Sequence, residues 1–448
     1  MATSYYLKLS PGERVIETEP DGTSRRSRKT TPRLIDYEHY VLPNGLTVVL
    51  HHDPKRTVAV VNVLYKVGSR NDPPGRTGFA HLFEHLMFEG STNVDNFDDV
   101  LQMAGGENNA MTGADTTVYY DILPAANIET ALYLESDRMR GLSFSEKSLA
   151  TQKKVVVEEF KETCLEEPYG DLFHHLSDLV YETHPYRWPV IGLNFEDIEQ
   201  ATLEDVKSFF YRHYRPDNAI LVVAGGFDAA TIRERIEHYF GDIPPAADGT
   251  ARSTPEVEAE QTAPRSRVVT ADVPSPVIYQ YYRTPGRLYD IYVALDVAAF
   301  LLGGGRSSYL YRKLIRDTDL FAEVSAGMSD TYDYAGLLVE ARPAEDVDYA
   351  TARAALDAAI EEFVKEGVSQ SQLEKTVNRM ETTNHFKSLS VASRANDLAF
   401  YASIDRMDLV NTEAAMYRAL TVEDVNEVIR EYLQPRWRSE VEYLVEEE

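Results

Sequence analysis

The sequence predicts an α+β fold built as two homologous domains, and three observations carry that expectation. The chain has 448 residues, of which 43% are hydrophobic and 26% charged, ample for two cores of ordinary domain size. Residues 244–268, "PPAADGTARSTPEVEAEQTAPRSRV", hold four prolines and few apolar side chains, the composition of a linker. "TLEDV" at 202–206, followed by Pro216, returns as "TVEDV" at 421–425, followed by Pro435, at a constant offset of 219. Each copy then runs into a strand-like segment. The chain therefore reads as a polar arm over 1–33, a first domain over 34–243, the linker over 244–268 and a related domain over 269–448.

The elements of the first domain follow from local pattern. Asn44-Gly45 marks a turn inside "YVLPNGLTVVLHHD", ahead of an alternating strand. "TVAVVNVLYKVGS" (57–69) is a second strand, rich in valine. Residues 77–91 are helical until Gly90 and Ser91 stop the pattern. "NFDDVLQMAG" is a short helix running into Gly105-Gly106. Residues 109–124 have strand character, 127–141 form an amphipathic helix, and 145–168 form a long helix ending at Pro168. Residues 201–227 read as helix, proline break and buried strand.

Composition excludes several functions. A formal net charge of −28 argues against nucleic acid or an anionic membrane as partner, since both require basic surface. The one cysteine, Cys164, forbids an intrachain disulfide and points to the cytoplasm. No apolar run approaches the roughly 18 residues of a membrane span, and residues 1–33 lack the apolar region of a signal peptide.

The chemistry concentrates in "GFAHLFEHLMFEG" (78–90). On a helix, positions i, i+3 and i+4 share a face, so His81, Glu84 and His85 converge. Two neutral imidazoles at this spacing chelate one Zn²⁺, and the carboxylate between them reaches a water made acidic by the ion. Chance composition would produce this triplet in such a chain about 0.04 times, which sets aside a pair of incidental surface histidines. A hydrolytic zinc needs a third protein ligand. The candidates are His51, His52, His174, His175 and His184, with His51 and His52 expected to be exposed. Better placed is a carboxylate of "VVVEEFKETCLEE": Glu158, Glu159, Glu162 and Glu166 compete on chemistry alone.

"HLFEH" followed some seventy residues later by "VVVEEFKE" resembles the insulinase or pitrilysin family of inverted zincins, especially its short members, which include mitochondrial processing peptidase. "GGENNAMTGADTTVYY", "HPYRWPVIGLNFEDI" and "YRPDNAILVVAGGF" fit the family in the same order. The resemblance implies that each domain is a mainly antiparallel sheet with helices on one face. It implies a peptidase holding one Zn²⁺ on His81, His85 and Glu159, with Glu84 as general base. It further implies that peptide substrate adds as a strand along Asn109, Ala110, Met111 and Thr112. A family glutamate seven residues before the third ligand is replaced here by Gln152, which together with Glu166 is a candidate to support the ligands.

The second half departs from the family pattern. The resemblance implies an arginine and a tyrosine, seven apart, aimed at the substrate carbonyl. Arg316 occupies the first position and Glu323 the second. A phenol donates to an oxyanion, whereas a carboxylate repels it. The expectation is a heterodimer in which a homologous partner supplies the Arg/Tyr pair. In a shifted alignment Tyr309, Tyr311 or Tyr332 substitutes for that tyrosine, and the alternatives to the heterodimer are a catalytically silent structural subunit, a self-sufficient homodimer and a peptide-binding module that keeps zinc without cleaving.

Overall fold

The computed structural model describes residues 35–245 and 255–446. The expected arm over 1–33 and residues 246–254 of the expected linker lie outside them. The first half forms a six-stranded sheet from β1 (Glu38–Val41), β2 (Thr47–His52), β3 (Val58–Tyr65), β4 (Glu107–Thr112), β5 (Thr117–Pro124) and β6 (Ala219–Gly225). The order is β1-β2-β6-β3-β5-β4, antiparallel except between β2 and β6. The second half forms a five-stranded sheet from β7 (Arg265–Ala271), β8 (Val277–Pro285), β9 (Phe321–Met328), β10 (Tyr334–Pro343) and β11 (Arg438–Val445). Its order is β7-β11-β8-β10-β9, with only β7 and β11 parallel. The α+β class and the two related halves are as expected.

The alternation along β3 explains how the halves interlock. Ala59, Val61, Val63 and Tyr65 face the first domain's own helices, among them Phe79–Leu86, Ile128–Arg140 and Leu203–His213. Val60 and Leu64 face the other way, onto Val391, Ala395, Leu398 and Ala399 of a helix (Val391–Ser403) from the second half. A strand buried on both faces has to be apolar throughout, and Asn62, the polar exception, donates to Asn396 of that helix at 2.6 Å. The exchange is reciprocal. Leu172, Leu176 and Val180 of the first half's helix Leu172–Val180 pack on Val277, Tyr281, Val441 and Tyr443 of the second sheet. Leu172 and Val391 are separated by the same 219 residues as Thr202 and Thr421. Each sheet thus has its own helices on one face and its neighbour's helix on the other.

Three local departures from expectation have physical causes. The segment with strand character over 109–124 resolves into two strands, β4 and β5, joined through a turn in which Gly113 N–H donates to Thr116 O at 2.8 Å. The long helix expected over 145–168 is regular only from Glu146 to Phe160 and then widens into a π-helical turn, Lys161–Glu166. There the Thr163 hydroxyl donates to the Glu159 carbonyl at 2.7 Å, a back-bond that loosens helical winding. Finally, β7 starts at Arg265, inside the stretch expected as linker.

Upstream of β7, Glu258 is buried and accepts from the backbone N–H groups of Glu182, Thr183 and His184 at 2.8–3.0 Å. Burial pushes its carboxyl up, but those three donors and the nearby Arg283 bring it below the ordinary value. A depressed carboxyl stabilises the fold above its unfolded pKa of about 4.3 and loses that contribution as pH falls. Unfolding midpoints measured from pH 6 down to pH 3 should therefore fall more steeply for the native chain than for Glu258→Gln. Parallel curves would contradict this.

Candidate metal centre

Helix Phe79–Leu86 is amphipathic in the manner its sequence requires. Phe79, Ala80, Leu82, Phe83 and Leu86 are buried in the first core, leaving His81, Glu84 and His85 half-buried on the opposite stripe. Its start is held by a residue that sequence reasoning missed. The buried Asp72 carboxylate accepts from Gly78 N–H at 2.8 Å and Ala80 N–H at 2.9 Å, satisfying donors no helix can satisfy for itself. Gly78 has φ 85°, and a Cβ there would lie 2.7 Å from the Ile191 carbonyl oxygen, so glycine is required for this entry. The signal available in sequence was an aspartate shortly before a glycine-led helix, too common to single out.

Helix Glu146–Phe160 packs across this one. It buries Val156, Val157 and Phe160 and turns Glu159 toward the histidines. Glu159 Oε1 is 3.5 Å from His81 Nε2, Glu159 Oε2 is 3.3 Å from His85 Nε2, and the two Nε2 atoms are 3.3 Å apart. Ligand atoms about 2.1 Å from a tetrahedral ion lie about 3.4 Å from one another, so the donor set fits one Zn²⁺. Among the described residues this is the one group of His, Cys, Asp and Glu placed to hold a metal.

The protonation states agree with that fit. Burial lowers the His81 imidazole, against the pull of Glu159, and the His85 hydrogen bond leads the interactions holding the Glu159 carboxyl below its ordinary value. Neutral imidazole and ionised carboxylate are the forms that bind a cation.

The competing candidates are placed elsewhere. Glu158 is exposed and pairs with Lys161 at 2.9 Å; Glu162 and Glu166 are exposed on the π-helical turn. Gln152 donates to Glu89, tying the ligand-bearing helix to the segment after His85 rather than to a ligand itself. His51 corrects the expectation of exposure. It is buried, its Nδ1 donates to Asp36 O at 2.6 Å, and its Nε2 accepts from Arg394 Nε at 2.9 Å, an arginine of the exchanged helix that also pairs with Asp53 at 3.1 Å. His52 is exposed. His174 bonds Gly192 O, His175 bonds Asp171, and His184 bonds Asp333.

β4 carries Asn109 to Thr112 along the edge of the first sheet, bonded on one side to β5 and packed beside helix Phe79–Leu86. The Asn109 side chain accepts from Ala110 N–H at 2.8 Å, and Met111 is exposed. Arg316 is the exposed last residue of a largely half-buried π-helical turn, Tyr311–Arg316, and pairs with Asp317 at 2.8 Å. Glu323 lies exposed on β9, opposite Arg342. Tyr309 and Tyr332 are buried, their hydroxyls directed at Glu366 and Ser403; Tyr311 is half-buried.

A duplicated α+β chain whose first half presents two histidines on one helix to a glutamate on a second helix packed across it, beside the edge strand of its sheet, defines the inverted-zincin class of two-domain proteins. The comparisons specify the family. The family model described as insulinase (peptidase family M16) matches residues 47–192, and that described as peptidase M16 inactive domain matches residues 200–380. The zinc protease PqqE of Helicobacter pylori is 32% identical over 359 residues, 79% of this chain and 80% of that one. A crystal structure of a protease from Helicobacter pylori has a TM-score of 0.86 at 29% identity, covering 92% of this chain and 99% of that chain. A peptidase M16 inactive domain from Pseudomonas fluorescens, at 18% identity and the same coverages, shares the fold with a TM-score of 0.82. The chain belongs to the insulinase family of peptidases, family M16, whose relatives here are named zinc proteases. Among the described residues no helix is long and apolar enough to cross a membrane.

Proposed function

We propose that the protein is a zinc-dependent endopeptidase acting on peptides or unfolded segments, and that it is the metal-bearing subunit of a heterodimer. The observation that carries this reading is the convergence of His81, His85 and Glu159 within 3.5 Å, with Glu84 on the same helical face. Zn²⁺ on those three residues would polarise the scissile carbonyl and acidify water. The Glu84 carboxylate takes the proton of the attacking water and delivers it to the leaving amine. The free edge of β4 holds the substrate backbone in register through main-chain hydrogen bonds. Arg316 and Glu323 place one guanidinium and a carboxylate where the family has an arginine and a tyrosine, so the phenol comes from a homologous partner chain.

The test is metal analysis and cleavage of a quenched peptide, with and without a homologous chain that carries the Arg/Tyr pair. Cleavage only with both chains supports the reading. Full activity of this chain alone supports a homodimer instead, and a chain that purifies without zinc supports the silent structural subunit. Glu159→Gln should reduce the metal from about one ion per chain to a small fraction of that, with cleavage lost in proportion. Retention of stoichiometric zinc by that variant would remove Glu159 from the ligand set.

A further inference from the structure

Arg70 sits in a short turn, Ser69–Asn71, between β3 and the metal helix, and its side chain is largely buried. A buried cation has to be paired. Its guanidinium forks between the two halves of the chain. Nη1 donates to Asp115, in the turn between β4 and β5, and Nη2 donates to Asp333 of the second half at 2.6 Å. The acceptors are tied in turn. Asp115 is buried and also accepts from the Tyr186 hydroxyl at 2.6 Å and from the Tyr332 N–H of the second half at 3.0 Å. Asp333 bonds His184 at 3.3 Å. A planar fork that holds two carboxylates at once fixes their relative position, as a point charge does not.

The backbone of the same turn reaches both parts of the candidate site. Ser69 N–H donates to Gly113 O at 3.1 Å and Arg70 N–H to Ala114 O at 3.0 Å, just past the end of the β4 edge. The two segments are in close contact: a Cβ on Gly68 would lie 2.4 Å from the Gly113 carbonyl oxygen. Two residues beyond Arg70, Asp72 holds the Gly78 and Ala80 N–H groups that open the metal helix. Arg70 therefore links the end of β4, the start of the metal helix and the second half of the chain.

We propose that Arg70 is a positioning residue for the peptidase reaction. By clamping Asp115 to Asp333 it sets the placement of the β4 edge against the metal helix, and it makes that placement depend on the docking of the second half. The proposal rests on the peptidase reading above and adds to it a residue that neither holds the metal nor takes the proton. Peptide lies on one element and metal on another, so a shift of about 1 Å between them costs about 10²-fold in rate. Main-chain hydrogen bonds to β4 survive such a shift, because the peptide moves with the strand.

The experiment uses the full zinc-loaded chain and two variants. Asp333→Asn removes the charge that Arg70 meets on the second half and keeps the side chain's size. Arg70→Lys keeps the cation but loses the fork. Hydrogen exchange is followed over residues 78–86 and 107–115, and kcat and KM for a quenched peptide are measured with the partner chain present. Each variant should speed exchange of those two segments by about tenfold or more, while the second-half helix Val422–Tyr432 exchanges as in the native chain, since a local opening spares segments it does not involve. The value of kcat should fall by about tenfold or more, with KM within about threefold of native and zinc content unchanged. Cooperative thermal unfolding establishes that a variant is folded, and either one suffices. A role in stability alone would speed exchange everywhere or nowhere and leave kcat at its native value. Either exchange pattern, or an unchanged kcat, in a folded variant overturns the proposal. If the native chain with its partner cleaves nothing, the peptidase reading fails alone, and the exchange pattern by itself decides whether Arg70 positions the two elements.

Discussion

Replacing Glu84 by glutamine should lower kcat for a quenched peptide by about 10²–10⁴-fold and leave bound zinc unchanged. Glutamine keeps the size and the hydrogen-bonding reach of the glutamate but has no basic oxygen to take a proton. The three donors that converge on one another are His81, His85 and Glu159, so the metal does not depend on residue 84. Substrate binding should not depend on it either, because the proposed peptide site is the backbone edge of β4. The expected pattern is a loss in kcat with KM and metal content near native values, measured in the presence of the partner chain. Undiminished turnover by this variant would sink the general-base role and with it the hydrolytic mechanism.

Arg138→Ala should destabilise the fold by about 3–5 kcal/mol, a large part of the 5–15 kcal/mol typical of a folded domain. Arg138 is buried with its guanidinium 4.4 Å from the Phe97 ring centre and 4.5 Å from that of Tyr119. Its Nε donates to Glu135 at 2.8 Å, and its Nη2 pairs with the same carboxylate. Asp121, on β5 beside the edge strand β4, is also fully buried. Burial pushes the carboxyls of Glu135 and Asp121 up, and the arginine opposes that. Removing the cation strands two carboxyl groups in a low-dielectric core. Groups raised in the folded state favour their protonated form, so the penalty should grow as pH rises through the carboxylate range and shrink as pH falls. Urea unfolding at pH 5 and pH 8 measures this; an equal, small loss at both would contradict it. The damage should reach the metal centre, since the Tyr119 hydroxyl contacts the Phe83 carbonyl of the metal helix at 3.4 Å.

Much of the site was legible because it is local. His81, Glu84 and His85 are brought together by helical period alone, whatever the helix packs against. The apolar positions around them, Phe79, Leu82, Phe83 and Leu86, select the face that is buried. The same holds for Thr202 and Thr421, whose side chains accept from Asp205 and Asp424 N–H in matching capping boxes. The duplicated architecture was visible in those few residues because capping chemistry is written within four positions.

Long-range choices were not legible in the same way. Four glutamates on one segment are chemically alike, and only the packing of helix Glu146–Phe160 across the metal helix decides that Glu159 meets the imidazoles. Polarity suggested exposed histidines at the end of β2, but the exchanged helix brings Arg394 onto His51 and buries it. A cavity of about 470 Å³ lined by residues of both halves, among them Thr163, Phe173, Trp188 and Tyr281, has no counterpart in any local pattern.

By itself the sequence determined the metal-binding chemistry, the two related halves and the family, because each is carried by residues a few positions apart whose geometry the backbone dictates. The tertiary structure decided which glutamate meets the imidazoles and the covering of each sheet by the other half's helix. Those depend on which surfaces of distant segments bury the most apolar area together, a property of the whole folded chain rather than of any stretch of it.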